Sequence, residues 1–186
     1  MQDYIRDHEV EQLLSLYHDL HGMAQSIKIQ MSGLESSKAT DDDIEAMALK
    51  HSTIDDIPGY SKGAASDRTA KVALSYEKSL NLETKKAMEE LQWELQLVEA
   101  IIAKLEISLA VLSPVHKDIV MYRYCKDMRW GEIDSIINKS EYLFSISAMK
   151  SRCKEGVERI TKVCRISITE FRSVMKLFYT EEKGDE

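Results

Sequence analysis

A run of hydrogen-bond donors near the C-terminus is the part of this sequence best suited to chemistry. The donors recur every three or four residues, which predicts one shared face of an α-helix. They are Ser147, Lys150, Ser151 and Lys154. Hydroxyl and ammonium groups suit an anionic ligand rich in acceptors, such as nucleic acid, and the alternative is an ordinary solvated basic face.

The residues between these donors predict how the helix is positioned. Apolar residues from Met149 to Cys164 recur at spacings of 4, 4, 3 and 4, so they form a stripe that faces a core. Arg152, Arg159 and Lys162 lie further round or further along, where they are better placed for phosphates than for bases. The helix is predicted to begin at about Ser145 and to continue past Ile168, with a kink near Thr169.

Charge is distributed unevenly along the chain. The 186 residues carry a formal net charge of −7, which argues weakly against a nucleic-acid ligand. Between Lys139 and Lys176, however, nine Lys or Arg residues stand against four Asp or Glu residues. A basic segment on an acidic body fits a local nucleic-acid footprint. The acidic tail 181–186 is expected to be a solvated end.

An ordered set of motifs precedes the basic helix. It consists of Leu112-Ser-Pro, the apolar pair Ile119-Val120, the pair Arg123-Tyr124, a short connection, and Trp130-Gly-Glu-Ile. This order resembles the helix-turn-helix of sigma-factor region 4, which binds the promoter −35 element. The resemblance implies a DNA-binding transcriptional regulator, and not an enzyme, with the helix from Ser145 in the major groove of double-stranded DNA.

The resemblance assigns candidate DNA-binding residues and also has departures. The candidates are Ser147, Lys150, Ser151, Arg152, Lys154, Arg159 and Lys162. Sigma region 4 usually has Glu-Arg where this chain has His116-Lys117, and the turn from Asn138 to Phe144 is longer than usual. The register of the recognition helix is therefore left open. The chain shows no counterpart of sigma region 2, so a complete sigma factor is not expected.

A second resemblance concerns the segment before this module. Ser66-Asp-Arg-Thr-Ala70, after a glycine-containing loop and before a long helix, is similar to phage and prophage late-transcription regulators of the RinA and ArpU type. It extends the resemblance from about Pro58 to Lys162. It implies control of late genes, with RNA polymerase as a further partner. The alternatives are a DNA-packaging adaptor like a small terminase subunit, or a polymerase-binding module without DNA recognition.

Two heptad-spaced seams predict long helices. One runs from Val10 to Leu34 and the other from Met88 to Leu112, both at spacings of 3 and 4. The seams pack within one chain or between two, so a homo-oligomer, with a dimer favoured, is one expectation. The fold class is all-α, with coiled-coil-like helices followed by a sigma-region-4-like helix-turn-helix. The predicted segments are an N-terminal heptad helix 1–35, a linker 36–65 with a short helix from Asp41 to Lys50, a helical hairpin 66–112 broken at Asn81, the helix-turn-helix 113–180 and the tail 181–186.

Other functional classes find little support in the residues. The chain has no apolar run of membrane-spanning length and its start lacks a signal-peptide pattern, so a cytoplasmic protein that does not contact a membrane is expected. Three cysteines in no metal-like spacing predict reduced thiols. His18 and His21 share a helical face, but no motif supplies further zinc ligands. No cofactor is therefore expected.

Aromatic and charged residues of the module are predicted to be structural. Trp130 is expected to pack the second helix onto the first, because a large aromatic ring buries much apolar area. Tyr122 and Tyr124 are expected in the core. Arg123 is expected to form an ion pair with Glu132, with phosphate binding as the alternative.

Overall fold

The computed structural model describes residues 3–36, 65–139 and 143–179, and for residues 65–80 it describes the backbone alone. The predicted helix from Asp41 to Lys50, the loop near Pro58 and the tail 181–186 lie outside these residues. Within the described part the chain is helical and contains no strand, which confirms the all-α prediction. The helices are α1 (Asp7–Ser15), α2 (Tyr17–Ser36), α3 (Ala65–Ala110), α4 (Pro114–Val120), a π-helical turn (Met121–Cys125), α5 (Trp130–Ile137), α6 (Ile146–Cys164) and α7 (Ile168–Tyr179).

The chain divides into two compact units. One comprises Met1–Gln25 and Leu95–Glu186, and the other comprises Ser26–Glu94. The first, called here the C-terminal unit, contains one continuous core to which α1, α3 and the helices from α4 to α7 all contribute. In the second, Ile27 of α2 is buried and Trp93 of α3 is largely exposed.

The N-terminal seam forms two helices where the sequence predicted one. The helix is interrupted at Leu16, the residue between α1 and α2. The Ser15 hydroxyl donates to the Gln12 carbonyl at 2.7 Å, which competes with the helical hydrogen bond to the same oxygen. Serine side chains that bond back to the preceding turn can bend a helix, and the break follows Ser15 directly.

Helix α3 is continuous where the sequence predicted a break at Asn81. It runs from Ala65 to Ala110 without interruption. An asparagine inside a helix costs only about 0.7 kcal/mol relative to alanine, which the long flanking helix can offset. The seam residues of its C-terminal part are buried, among them Val98, Ile102, Leu105 and Leu109.

Helix α1 packs against α6 and the π-helical turn. The predicted segment 1–35 treated it as separate from the helix-turn-helix, whereas residues 1–25 share the unit of residues 95–186. The Tyr124 hydroxyl donates to the Glu11 carboxylate at 2.7 Å across this contact. Helix α1 therefore belongs to the structure that positions α6.

The C-terminal helix is broken completely, not kinked as predicted. Helix α6 ends at Cys164, and Arg165 adopts a left-handed conformation with φ 45°. The next residues are extended and pair with the N-terminal segment. The Ile5 N–H donates to the Ile166 carbonyl at 3.0 Å, and the Ile168 N–H donates to the Asp3 carbonyl at 2.9 Å. These partners, distant in sequence, satisfy the backbone groups that the break exposes.

Candidate nucleic-acid interface

The order Trp130-Gly-Glu-Ile has a local structural explanation in α5. The Arg129 N–H, at the helix N-cap, donates to the Glu132 carboxylate at 2.7 Å. A carboxylate three residues into a helix satisfies a free N–H and interacts favourably with the helix dipole. Trp130 is half-buried and packs against the core, as predicted, while Ile133 and Ile137 are buried.

Arg123 does not pair with Glu132, and the predicted ion pair is wrong. Its guanidinium donates to the Met128 carbonyl at 3.1 Å and lies 3.5 Å from the Asp127 carboxylate. It also lies 5.8 Å from the centre of the Trp130 ring. Glu132 is already engaged at its own helix cap, so Arg123 instead holds the connection that leads into α5.

Asn138 fixes the turn between α5 and α6. Its side-chain amide donates to the Asp134 carboxylate at 2.7 Å and to the Phe144 carbonyl at 3.1 Å. Its side-chain oxygen accepts the Phe144 N–H at 2.9 Å. One side chain thus joins the end of α5 to the residue before Ser145. The sequence analysis missed this role, for which an asparagine directly after an apolar helix was the only signal.

Helix α6 begins where the sequence predicted. Ser145 is its N-cap, and its hydroxyl accepts the Ala148 N–H at 3.3 Å. Phe144 and Met149 occupy the positions before and after this cap that typically pack together, and both belong to the core. The long turn between the helices therefore ends in a defined helix start, which sets the register of the recognition helix.

The predicted donors share an exposed face of α6. Ser147, Lys150, Ser151 and Lys154 are all exposed. The stripe on the other side is buried, namely Met149, Cys153, Val157, Ile160 and Cys164. The Lys150 ammonium lies 5.9 Å from the centre of the Trp130 ring, and the Ser151 hydroxyl donates to Glu155 at 3.4 Å. The face thus combines donors and two cations with the carboxylates of Glu155 and, one turn after Lys154, Glu158.

The three residues assigned to phosphates differ in environment. Arg152 is half-buried, and its guanidinium lies 4.3 Å from the centre of the Phe144 ring. Arg159 and Lys162 are exposed on the C-terminal half of α6. Arg152 is therefore held beside the turn, while the other two are open to solvent.

Helix α4 contacts α6 through a second set of residues that the sequence analysis did not identify. His116 is buried, its Nδ1 lies 2.6 Å from the Ser113 hydroxyl, and its Nε2 lies 3.5 Å from the Glu155 carboxylate. Gly156 sits at the closest approach, where an added Cβ would lie 2.8 Å from a methyl group of Val120. The helices cross here without room for a side chain.

The cysteines are structural. Cys125, Cys153 and Cys164 are free and buried. Burial raises the pKa of the Cys125 and Cys153 thiols to about 11, so both are protonated near neutrality and are poor nucleophiles.

The described residues contain neither a metal-binding cluster nor a helix suited to cross a membrane. No group of three or more His, Cys, Asp or Glu side chains there is arranged to hold a metal ion. His21 instead lies 3.7 Å from Glu106. None of the described helices combines the length and apolar character that crossing a membrane requires.

Comparison with known proteins gives no match among family models, curated proteins or solved structures.

Proposed function

We propose that this protein is a DNA-binding transcriptional regulator that inserts α6 into the major groove. The observation that carries the proposal is the exposed donor face of α6, from Ser147 to Lys154, opposite a fully buried apolar stripe. An α-helix fits the major groove, and donors on its first turns can reach acceptors on base edges.

The surrounding helices support the same proposal. Helix α5 packs on α6 and on the π-helical turn. This arrangement of a short helix, a connection and a longer exposed helix agrees with the sigma-region-4-like order of the sequence. In the proposed complex, Ser147, Lys150, Ser151 and Lys154 contact bases, while Arg152, Arg159 and Lys162 contact phosphates.

The experiment is a gel shift and footprint on fragments of the source genome at about physiological salt. The unmodified protein is compared with Lys150→Ala/Lys154→Ala. The matched control is Lys86→Ala/Arg172→Ala, which removes the same charge from exposed positions outside α6. A discrete footprint lost only in the α6 variant is the expected result. No footprint with folded protein contradicts direct DNA recognition and favours polymerase binding without DNA.

The biological context of the proposal rests on the sequence resemblance. We propose control of phage or prophage late genes, with RNA polymerase as a partner and a homodimer as the active form. Light scattering of the purified protein tests the assembly. A dimer is the expected result, whereas a ring of many subunits favours a DNA-packaging adaptor.

A further inference from the structure

Two exposed apolar side chains lie at the start of the recognition helix. Leu143 is 93% exposed and Ile146 is 41% exposed. Leu143 therefore contributes almost no core packing, while Ile146, in the first turn of α6, leaves a substantial part of its side chain open to solvent.

The surrounding structure fixes both residues. Leu143 directly precedes Phe144, whose backbone N–H and carbonyl are both bonded to Asn138. Ile146 is the first residue of α6 and lies one turn before Lys150 on the same face. Ile146 therefore lies one turn from Lys150, and Leu143 lies just before the start of the helix that carries Ser147 and Lys150.

The chemistry of the surface indicates what would cover this pair. A ligand must offer an apolar group beside hydrogen-bond acceptors and negative charge, because exposed donors and cations flank Leu143 and Ile146. The major groove of DNA combines base acceptors, phosphates and one aliphatic group, the 5-methyl of thymine. A purely apolar protein partner would leave the ammonium group of Lys150 without compensation.

We propose that Leu143 and Ile146 select thymine at the edge of the operator by packing against its methyl group. This inference rests on the proposed function and adds a base preference to it. Leu143 and Ile146 are not among the seven candidate DNA-binding residues assigned from the sequence. The ligand class is a T-containing step in duplex DNA, next to the bases that Ser147 and Lys150 contact.

The test removes only the methyl group. Each thymine of the footprinted operator is replaced in turn by deoxyuridine, and the dissociation constant is measured for every duplex. Loss of one buried methyl is expected to weaken binding about fourfold at one or two positions. Leu143→Ala and Ile146→Ala are expected to weaken binding to the thymine operator and to reduce or abolish this difference. Leu143→Met retains it.

The control is Val163→Ala, which shortens an exposed apolar residue near the other end of α6, 38% exposed. This variant should keep the full ratio of dissociation constants between the thymine and deoxyuridine duplexes. Melting curves check that all variants fold. A footprint with no position sensitive to deoxyuridine overturns this inference and leaves the proposed function intact. The inference is also overturned, with the proposed function intact, if Leu143→Ala and Ile146→Ala both keep the ratio of dissociation constants seen for the unmodified protein. Absence of any footprint overturns both.

Discussion

Gly156 shows how one residue sets the distance between α4 and α6. An alanine Cβ at this position would lie 2.8 Å from Val120 Cγ2, and the β-branched valine has little freedom to move within its helix. Gly156→Ala gains about 1 kcal/mol of helix propensity but meets an overpacking cost of about 1–3 kcal/mol. We expect a net loss of stability of about 1 kcal/mol, measured by urea denaturation.

The matched control for this substitution is Gly22→Ala in α2, where nothing lies within 4 Å of the added Cβ. It should stabilise the protein by up to about 1 kcal/mol, because only the propensity changes. If both alanines stabilise equally, the α4–α6 crossing is not constrained at Gly156.

Asn138 is the residue on which the placement of the recognition helix depends. Asn138→Ala removes the two hydrogen bonds to the Phe144 N–H and carbonyl, each of which contributes about 1 kcal/mol. We expect a lower denaturation midpoint from this loss of stability. We also expect weaker DNA binding at temperatures where the variant is still folded. Ser135→Ala on the same helix, whose hydroxyl bonds only to the Gly131 carbonyl, should change neither quantity measurably. Unchanged DNA affinity in Asn138→Ala contradicts the positioning role.

At the residue scale, exposure could be predicted and specific contacts could not. The outward face from Ser147 to Lys154 follows from helical periodicity alone, because a buried stripe fixes the orientation of the helix. The roles of Asn138 and Gly156 depend on which atoms lie beside them: the Phe144 backbone beside Asn138 and a Val120 methyl group beside Gly156. These contacts come from the way the chain packs. Arg123 illustrates the limit: a nearby carboxylate at Glu132 was the obvious partner, but that carboxylate caps its own helix.

At the element scale, α1 is the part whose role the sequence concealed. Leu13 is fully buried in the core of the C-terminal unit. Leu13→Ala is expected to cost about 2–5 kcal/mol. In a Trp93→Phe background the remaining tryptophan, Trp130, reports unfolding of the C-terminal unit. The unfolding midpoint measured by Trp130 fluorescence should therefore be lower in Leu13→Ala.

The control for α1 is Ile29→Ala in α2, which truncates a side chain that is 72% exposed. It should leave the Trp130 transition in place. A transition that Leu13→Ala does not shift contradicts the packing of α1 into this unit. Heptad spacing predicted the burial of Val10 and Leu13 in α1 but not that of Leu14. Spacing also cannot distinguish a coiled-coil partner from the core of a folded unit.

Helix α7 is tied to α3 by an ion pair with a predictable response to acid. Lys104 donates to Glu170 at 2.6 Å, and the backbone N–H and hydroxyl of Ser167 also donate to this carboxylate, at 2.8 and 2.9 Å. Burial alone raises the pKa of Glu170, but these hydrogen bonds outweigh it and lower the pKa below its ordinary value of 4.5. The contribution of Glu170 to stability is therefore complete above pH 4.5. It is lost as the pH falls through the lower pKa that Glu170 has in the folded protein.

Glu170→Gln tests this linkage through melting temperatures between pH 6 and pH 3. At pH 6 the variant should have a lower melting temperature than the unmodified protein, and this difference in melting temperature should decrease as the pH falls. Glu89→Gln, in an exposed pair 3.9 Å from Lys85, should show little gap at any pH. A gap of constant size for Glu170→Gln shows that the carboxylate charge is not what stabilises α7.

At the scale of the whole molecule, the proposed binding of DNA by a chain of net charge −7 requires a local surface. Affinity should then depend on a few cations and fall steeply with salt, because each phosphate contact releases counterions. Arg159 and Lys162 are exposed along the second half of α6, where they can reach phosphates but not the bases at its start. Their removal should weaken binding to all sequences alike.

The double variant Arg159→Ala/Lys162→Ala should reduce the slope of log affinity against log salt by about 2, since each phosphate contact contributes roughly 0.9. Ser151→Ala carries no charge change and should alter base preference with the slope intact. Titrations of the unmodified protein and both variants, each on the operator and on a scrambled duplex at several salt concentrations, separate the two effects. An unchanged slope in the double variant removes Arg159 and Lys162 from the interface. In that case the first turns of α6 carry the phosphate contacts as well as the base contacts, and Lys150 and Lys154 become the residues that set the salt dependence.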